Sequence, residues 1–452
     1  MKRIRVVEGS CWSCKRRRVK CNLGKPTCEQ CRGVGAKCDY GKVVLRWSTR
    51  PSPFQTMLPS ERAASSLGLY QKRSLDYFEA CLWPLFTVDS NPSPCPVSTA
   101  IEDRTVLQAT CVLADAHRYL LDKRNSETNL QLRRVDCLAT VRSQLQQSPI
   151  GTPIVTADKR HYSFLFAILL LYFLDGYIDC KRDFAATLSH HAGVKATINC
   201  LGGFNMVRSF GDEAFKILLS QFATADLSTA MLRCTVPSFS PDIWTTMCAH
   251  RVWWATEASD ALMLAKVFQE ISAMIFYANE IEKGLSEMSL ERIASFEASF
   301  GPVYDSIASS GWPEEPRAGS SLDFGHVNRR AFLHSYQHSA SIFLYRVICG
   351  LPLRHYLVQQ HVYGCINIIV AMDESSKSLN CVLLPLCIAG SHVQSAGLRA
   401  LLLTKLEVIH QHLKFESVIS IKQWLLGLWE SLSPRETWTE LFQNLNHQAA
   451  VV

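Results

Sequence analysis

The sequence lacks the features that would mark an enzyme. It contains no glycine-rich phosphate loop, no H-E-x-x-H motif and no G-x-S-x-G motif. Its paired histidines, His190-His191 and His410 with His412, have no acidic or cysteine partner close by in the sequence. Because His410 and His412 are two residues apart, they point to different faces of a helix. We therefore expect satisfied helix histidines in a protein that is not an enzyme.

Secretion and membrane signals are also scarce. The start, Met1-Lys2-Arg3-Ile4-Arg5, is charged but is not followed by the apolar core of a signal peptide, so a secreted disulfide framework is not expected. The apolar run 161–174 covers 14 residues, fewer than the roughly 20 that a membrane-spanning helix needs. We interpret it as a buried core helix and expect no membrane partner.

Two matching cysteine triplets, each with the spacing C-x2-C-x6-C, lie near the N-terminus. The six residues are Cys11, Cys14, Cys21, Cys28, Cys31 and Cys38. Two thiolates separated by two residues can close a tight turn on one zinc ion, at about 2.3 Å per Zn–S bond. Six sulfurs are too few for two separate four-cysteine sites and too many for one. Two tetrahedral zincs therefore need two bridging sulfurs, and the repeat suggests Cys11 and Cys28.

The other twelve cysteines, from Cys81 to Cys387, form no further C-x2-C pair. A free cysteine behaves as a small hydrophobic residue when it is buried. We expect these cysteines to be buried apolar thiols in a reducing compartment.

A basic run lies between the second and third cysteines: Lys15-Arg16-Arg17-Arg18-Val19-Lys20. Residues 1–50 contain 14 lysines and arginines against three acidic residues, whereas the net charge of the whole chain is only +7. Affinity for a polyanion is thus concentrated in one small module. Such a run is often a solvated face or a nuclear import signal, but its position between metal ligands favours a helix that docks on nucleic acid.

Residues 11–38 resemble the fungal zinc binuclear cluster DNA-binding domain, including Pro26 shortly before the fourth cysteine. The resemblance implies a module of two short helices around two zinc ions, with the first and fourth cysteines bridging. It also implies double-stranded DNA as the partner and CGG-like triplets as its sequence. The candidate DNA contacts are Lys15, Arg16, Arg17, Arg18 and Lys20.

Individual roles follow from the chemistry of these side chains. Lys15, at the start of the helix, suits phosphate contact. Arg17 and Arg18 lie where the family presents basic side chains to base edges, and the arginine fork reaches O6 and N7 of guanine together. The family often has lysine where Arg18 stands, and arginine there keeps the donor but changes the geometry of the base contact.

We divide the chain into a zinc module (1–45), a linker and lead-in (46–99) and an all-α regulatory domain (100–440). Pro51, Pro53 and Pro59 indicate an extended linker, and no heptad repeat follows the module, so no adjacent dimerisation zipper is expected. Helical stripes dominate the rest of the chain, for example Leu398 to Leu413, where Lys405 is expected on the solvent side.

Short pieces of this body resemble the regulatory domain that accompanies such clusters. They are His190–Gly193, Leu201–Gly203, Tyr345–Arg346, Gly350–Pro352, Leu384–Gly390, Arg399 and Trp424–Trp429.

The sequence therefore predicts a nuclear, sequence-specific transcription regulator of RNA polymerase II genes. Its helical body would control activity, and is a candidate surface for homodimerisation and for co-regulators. Two alternatives remain open. One is a nuclear interaction protein whose zinc module does not read sequence, and the other is a helical enzyme with an accessory zinc module.

Overall fold

The computed structural model describes residues 10–17, 19–40, 67–89, 95–122, 127–147, 159–180, 184–209, 211–300, 324–431, 437–443 and 445. The chain divides into two compact units, Met1–Pro59 and Ser60–Val452, and each is considered by itself. The prolines of the linker and Arg18 lie outside the described residues.

The small unit contains two short helices, α1 (Trp12–Arg17) and α2 (Glu29–Arg32). Its interior is made of sulfur, because five of its six cysteines are buried and Cys38 is half-buried. Ala36 and Tyr40 pack against this sulfur cluster. The expected module of two short helices around clustered cysteines is confirmed.

The first half of the large unit begins with α3 (Leu69–Tyr77), which continues through a π-helical turn (Phe78–Leu82) and a 3-10 turn (Trp83–Phe86). The following helices are α4 (Val97–Glu102), α5 (Arg104–Leu121), α6 (Glu127–Gln147), α7 (Lys159–Phe173) with a π-helical turn (Leu174–Ile178), α8 (Phe184–Cys200), α9 (Phe204–Ser209) and α10 (Glu213–Arg233). Helix α5 is central here, since it packs on α3, α4, α6 and α7.

The second half contains α11 (Ile243–Met247), α12 (Ala258–Glu282), α13 (Leu290–Ser299), α14 (Phe324–Phe343) with a π-helical turn (Leu344–Ile348), α15 (Tyr356–Ala371), a 3-10 turn (Lys377–Cys381), α16 (Leu383–His392), α17 (Ala396–Leu413), α18 (Glu416–Glu430) and α19 (Trp438–Phe442). Helices α14, α15 and α16 pack on one another. No strand occurs among the described residues, and the predicted all-α body is confirmed.

Capping side chains lie at the N-termini of several of these helices. The Asp103 carboxylate accepts the backbone N–H groups of Thr105 and Val106 at 2.8 and 3.2 Å, at the start of α5. Asp212 does the same for Phe215 at the start of α10, at 2.8 Å. Such N-caps satisfy donors that have no partner within the helix.

The apolar run 161–174 lies within α7 and its π-helical turn, where Leu165 to Leu174 are almost completely buried. By length and composition, His161–Ile178 and Ala258–Glu282 could each cross a membrane, but 78% and 56% of their apolar windows are buried inside the body. The first of these helices is longer than the apolar run, because it continues through the π-helical turn to Ile178. Its burial agrees with a core helix.

Three expectations about burial were wrong. Lys405 is buried, at 6% exposure, and its ammonium donates to the Met372 carbonyl at 3.1 Å and lies 3.3 Å from a Glu374 carboxylate oxygen. Position 405 is three residues after Leu402, so it shares the core side of α17. Cys81 and Cys200 are exposed, which composition alone could not reveal.

The core of the body also contains deeply buried polar groups. Three histidines are completely buried: His338, His361 and His392. Burial lowers the pKa of all three, to about 3 for His338, about 4 for His361 and about 3 for His392. They are therefore neutral in the folded protein near neutral pH.

Candidate metal centre and nucleic-acid interface

The two halves of the small unit are built in the same way. In each, a helix begins directly after the first cysteine of a triplet, so the second cysteine (Cys14 or Cys31) lies within the helix. Cys28 caps α2, because its sulfur accepts the backbone N–H of Cys31 at 3.4 Å. The C-x2-C spacing thus places both sulfurs of a pair at the N-terminus of a short helix.

The six sulfurs form two groups of four, and within each group all sulfurs lie within 4.8 Å of one another. The first group is Cys11, Cys14, Cys21 and Cys28, and the second is Cys11, Cys28, Cys31 and Cys38. Both groups contain Cys11 and Cys28, the two cysteines that the repeat of the triplets predicts to bridge.

The distances between sulfurs suit zinc. A tetrahedron with Zn–S bonds of 2.3 Å has sulfur–sulfur edges of about 3.8 Å. The Cys11–Cys28, Cys14–Cys28 and Cys11–Cys31 sulfur pairs are 3.7, 3.6 and 3.5 Å apart. The donor set therefore fits two tetrahedral ions that share two thiolates.

Backbone donors and a tyrosine surround the sulfurs. The N–H of Leu23 donates to Cys21 at 3.4 Å, and that of Cys28 donates to Cys38 at 3.3 Å. The Tyr40 hydroxyl donates to the Gly24 carbonyl at 3.0 Å and lies 3.5 Å from the Cys21 sulfur. Sequence reasoning missed Tyr40, whose one signal was an aromatic ring two residues after the last cysteine.

The pKa values of the cluster thiols are shifted in opposite directions by burial and by hydrogen bonds. Burial tends to raise the pKa of Cys28, but the backbone N–H of Cys31 and the neighbouring thiols outweigh it and lower the pKa to about 6. Burial raises the pKa of both Cys11 and Cys14. A metal ion binds thiolates, so it must displace the protons that these buried thiols otherwise retain.

The structure describes part of the basic run at residues 15–20. Arg16, Arg17 and Lys20 are exposed, whereas the side chain of Lys15 and all of Arg18 lie outside the described residues. The Arg17 guanidinium points toward the module, where its Nη2 atom donates to the Gln30 carbonyl at 3.0 Å. Helix α1 therefore carries an exposed cationic face beside the sulfur cluster.

The paired histidines of the body have partners that are remote in the sequence. His190 Nε2 lies 3.2 Å from a carboxylate oxygen of Asp175, and His191 Nε2 lies 2.9 Å from a carboxylate oxygen of Asp226. Asp175 also forms an ion pair with Arg134. Both histidines therefore lie beside a carboxylate within the packed body.

Two family models match the chain. The fungal Zn(2)-Cys(6) binuclear cluster domain matches residues 9–46, and the fungal specific transcription factor domain matches residues 73–451. The second match and helix α3 both begin upstream of residue 100. The boundaries drawn at residues 45 and 99 stay predictions.

Three curated relatives are similar over short segments. The arginine metabolism regulation protein II of Saccharomyces cerevisiae is 32% identical over 88 residues, which are 17% of this chain and 10% of the relative. The oleate activated transcription factor 3 of Kluyveromyces lactis is 30% identical over 88 residues, 18% of this chain and 13% of the relative. The sterol uptake control protein 2 of Saccharomyces cerevisiae is 46% identical over 39 residues, 9% of this chain and 4% of the relative. The matches thus span a small part of each relative. No solved structure matches the chain.

Proposed function

The chain belongs to the fungal zinc cluster transcription factors, and from this premise we propose that its N-terminal module reads a CGG-like triplet in the major groove of double-stranded DNA. The observation that carries the proposal is the pair of four-sulfur groups sharing Cys11 and Cys28, with a cationic helix beside them. The module would thereby direct the regulation of RNA polymerase II genes in the nucleus.

Two zinc ions are the cofactors that this six-cysteine domain implies. We assign the ligands as Cys11, Cys14, Cys21 and Cys28 for one ion and Cys11, Cys28, Cys31 and Cys38 for the other. When bound, the zinc ions supply the folding free energy of a module too small for an apolar core. The protein's own contribution is to bury the sulfurs and to surround them with N–H donors.

The DNA contacts are assigned to the basic run of Lys15, Arg16, Arg17, Arg18 and Lys20. Lys15, Arg16 and Lys20 suit phosphate oxygens, which position the module without reading sequence. Arg18 suits a guanine, because a guanidinium donates to O6 and N7 together. Helix α1, which carries Lys15, Arg16 and Arg17, begins at the metal ligands, so the zinc cluster orients it.

The helical body is assigned the control of activity. The match of residues 73–451 to the fungal specific transcription factor domain supports this assignment. Homodimerisation and the binding of co-regulators are assigned to its surface, since the sequence after the zinc module contains no heptad repeat.

Selection of bound duplexes from random DNA by the full chain in excess zinc tests the proposal. We expect a CGG-like triplet, with Arg18→Ala costing about 1–3 kcal/mol on that triplet alone. Lys15→Ala should weaken all duplexes alike and reduce the salt slope by about one unit.

If both substitutions weaken selected and random DNA equally, the run is an electrostatic patch and the reading of sequence is refuted. That outcome would favour a zinc module that serves protein contacts, with the basic run acting in nuclear import.

A further inference from the structure

Arg17 occupies a position that sequence alone assigns to DNA, but its side chain makes its contacts within the module. Its Nε donates to the Ser13 carbonyl of α1 at 3.3 Å, and its Nη2 donates to the Gln30 carbonyl of α2 at 3.0 Å. The same Nη2 lies 3.5 Å from the Cys31 sulfur and 4.0 Å from the Cys14 sulfur. One guanidinium therefore joins both helices across the metal centre.

We propose that Arg17 is a positioning residue for the zinc cluster, which holds the thiolates of Cys31 and Cys14 from outside the metal shell instead of reading a base edge. The inference rests on the proposed binuclear site. It replaces the base contact that the sequence suggests for Arg17 and leaves Arg18 as the candidate base reader.

The charge of the cluster explains why such a contact is useful. Two Zn²⁺ ions and six thiolates together carry two net negative charges, which lie mainly on sulfur. A guanidinium that donates to a thiolate forms a charge-assisted hydrogen bond, and it offsets part of this charge. Residues that hydrogen-bond to metal ligands orient them and commonly change metal affinity 10- to 100-fold when they are replaced.

The contact is one-sided, although the two triplets repeat the same spacing. Arg17 follows Cys11 by six residues, and the residue that follows Cys28 by six is Val34. Val34 is 61% exposed and has no side-chain donor. The first half of the module therefore supports a cysteine of the second half through Arg17, and Val34, at the repeated position, cannot return this contact. Since Cys31 is the nearer sulfur, the ion held by Cys11, Cys28, Cys31 and Cys38 should depend more on Arg17.

The test compares Arg17→Gln with Arg16→Gln in the full chain. Both changes remove one positive charge from neighbouring positions of α1, but it is the Arg17 guanidinium that lies beside the Cys31 and Cys14 sulfurs. We expect Arg17→Gln to lower zinc affinity 10- to 100-fold in competition with a chelator, while Arg16→Gln leaves it unchanged. Arg17→Lys, which keeps the charge without the planar fork, should restore part of the loss.

Cadmium-113 resonances of the cadmium-loaded chain provide a second measurement, in excess metal so that every variant stays loaded. Of the two resonances expected, Arg17→Gln should shift mainly the one from the ion bound by Cys31. Equal zinc affinities and unmoved resonances for the Arg16 and Arg17 variants would overturn the inference. So would an Arg17→Gln protein that loses triplet preference with unchanged zinc affinity.

The binuclear zinc site and the role of Arg17 can be refuted by different results. A wild-type chain that binds one metal ion, or none, overturns the binuclear site and this inference with it. A wild-type chain that binds two ions and selects its triplet, with no zinc effect of Arg17→Gln, overturns the inference alone.

Discussion

Alanine in place of Gly364 should destabilise the helical body, although alanine is the better helix former. Gly364 lies within α15, where a Cβ atom would stand 2.5 Å from Cε1 and 2.8 Å from Nε2 of His338. The His338 ring is completely buried, and its Nδ1 atom lies 3.0 Å from Nδ1 of His361. The ring therefore cannot move aside without disturbing the histidine pair.

Two effects of opposite sign decide the magnitude. Replacing glycine by alanine inside a helix stabilises it by up to about 1 kcal/mol. Forcing an extra methyl group into a packed core costs about 1–3 kcal/mol. We expect Gly364→Ala to lower the free energy of unfolding by about 1–2 kcal/mol, because the clash outweighs the propensity gain.

Gly427 provides the matched control. It lies within α18, and a Cβ atom there would have no neighbour within 4 Å. Gly427→Ala should therefore stabilise the body by up to about 1 kcal/mol, since only the propensity gain applies.

Urea unfolding of the zinc-loaded full chain, followed by far-ultraviolet circular dichroism, measures both effects as shifts in midpoint at constant slope. Adding His338→Ala to Gly364→Ala should recover part of the clash energy in a double-mutant cycle. The reasoning is refuted if Gly364→Ala and Gly427→Ala change stability in the same direction by the same amount.

Three other predictions concern the metal centre and the polar core. Cys28→Ser should cost both zinc ions and Cys38→Ser mainly one, as measured by metal analysis of the purified chain; one ion per wild-type chain would reject the shared-ligand assignment. Asp175→Asn should destabilise the body by about 1–3 kcal/mol, because a neutral amide replaces the buried carboxylate beside Arg134, which retains Asp179 as a carboxylate partner. The exposed Asp136→Asn serves as its control in urea titrations, and equal losses would contradict the argument. Acidification from pH 7 to pH 5 should cost about 2 kcal/mol for each of the three buried histidines, since their pKa values are lowered on folding and the unfolded chain takes up protons below about pH 6.5. Equal unfolding midpoints at the two pH values would show that these histidines are already accessible to protons.

The cysteine spacing predicted the small unit well because its chemistry is local. A C-x2-C pair places two sulfurs at the start of one short helix, and the count of six sulfurs requires sharing between two zinc ions. The all-α body followed similarly from helical stripes, as in α14, where Phe332, Tyr336, Ala340 and Phe343 are all buried. The spacing of apolar residues along the sequence shows which face of a helix is apolar. That face is buried when the helix packs in the body.

The spacing of residues in the sequence could not predict contacts between helices that are far apart in the chain. His190 and His191 had no acidic neighbour in the sequence, yet Asp175 and Asp226 lie beside them in the folded body. Lys405 was expected in solvent, but its ammonium reaches Met372 and Glu374. These contacts join residues that are 15 to 35 positions apart in the chain, and only helix packing brings them together.

The sequence by itself determined the ligand count, the concentration of positive charge in the first 50 residues and the helical class of the body. Each of these depends on residue type and on spacing within a few turns of chain. The tertiary structure alone decided that Arg17 turns toward Cys31 and that His338 lies against Gly364. Side-chain direction depends on which groups the neighbouring elements present, and a long cationic side chain can reach either DNA or its own module until packing selects one.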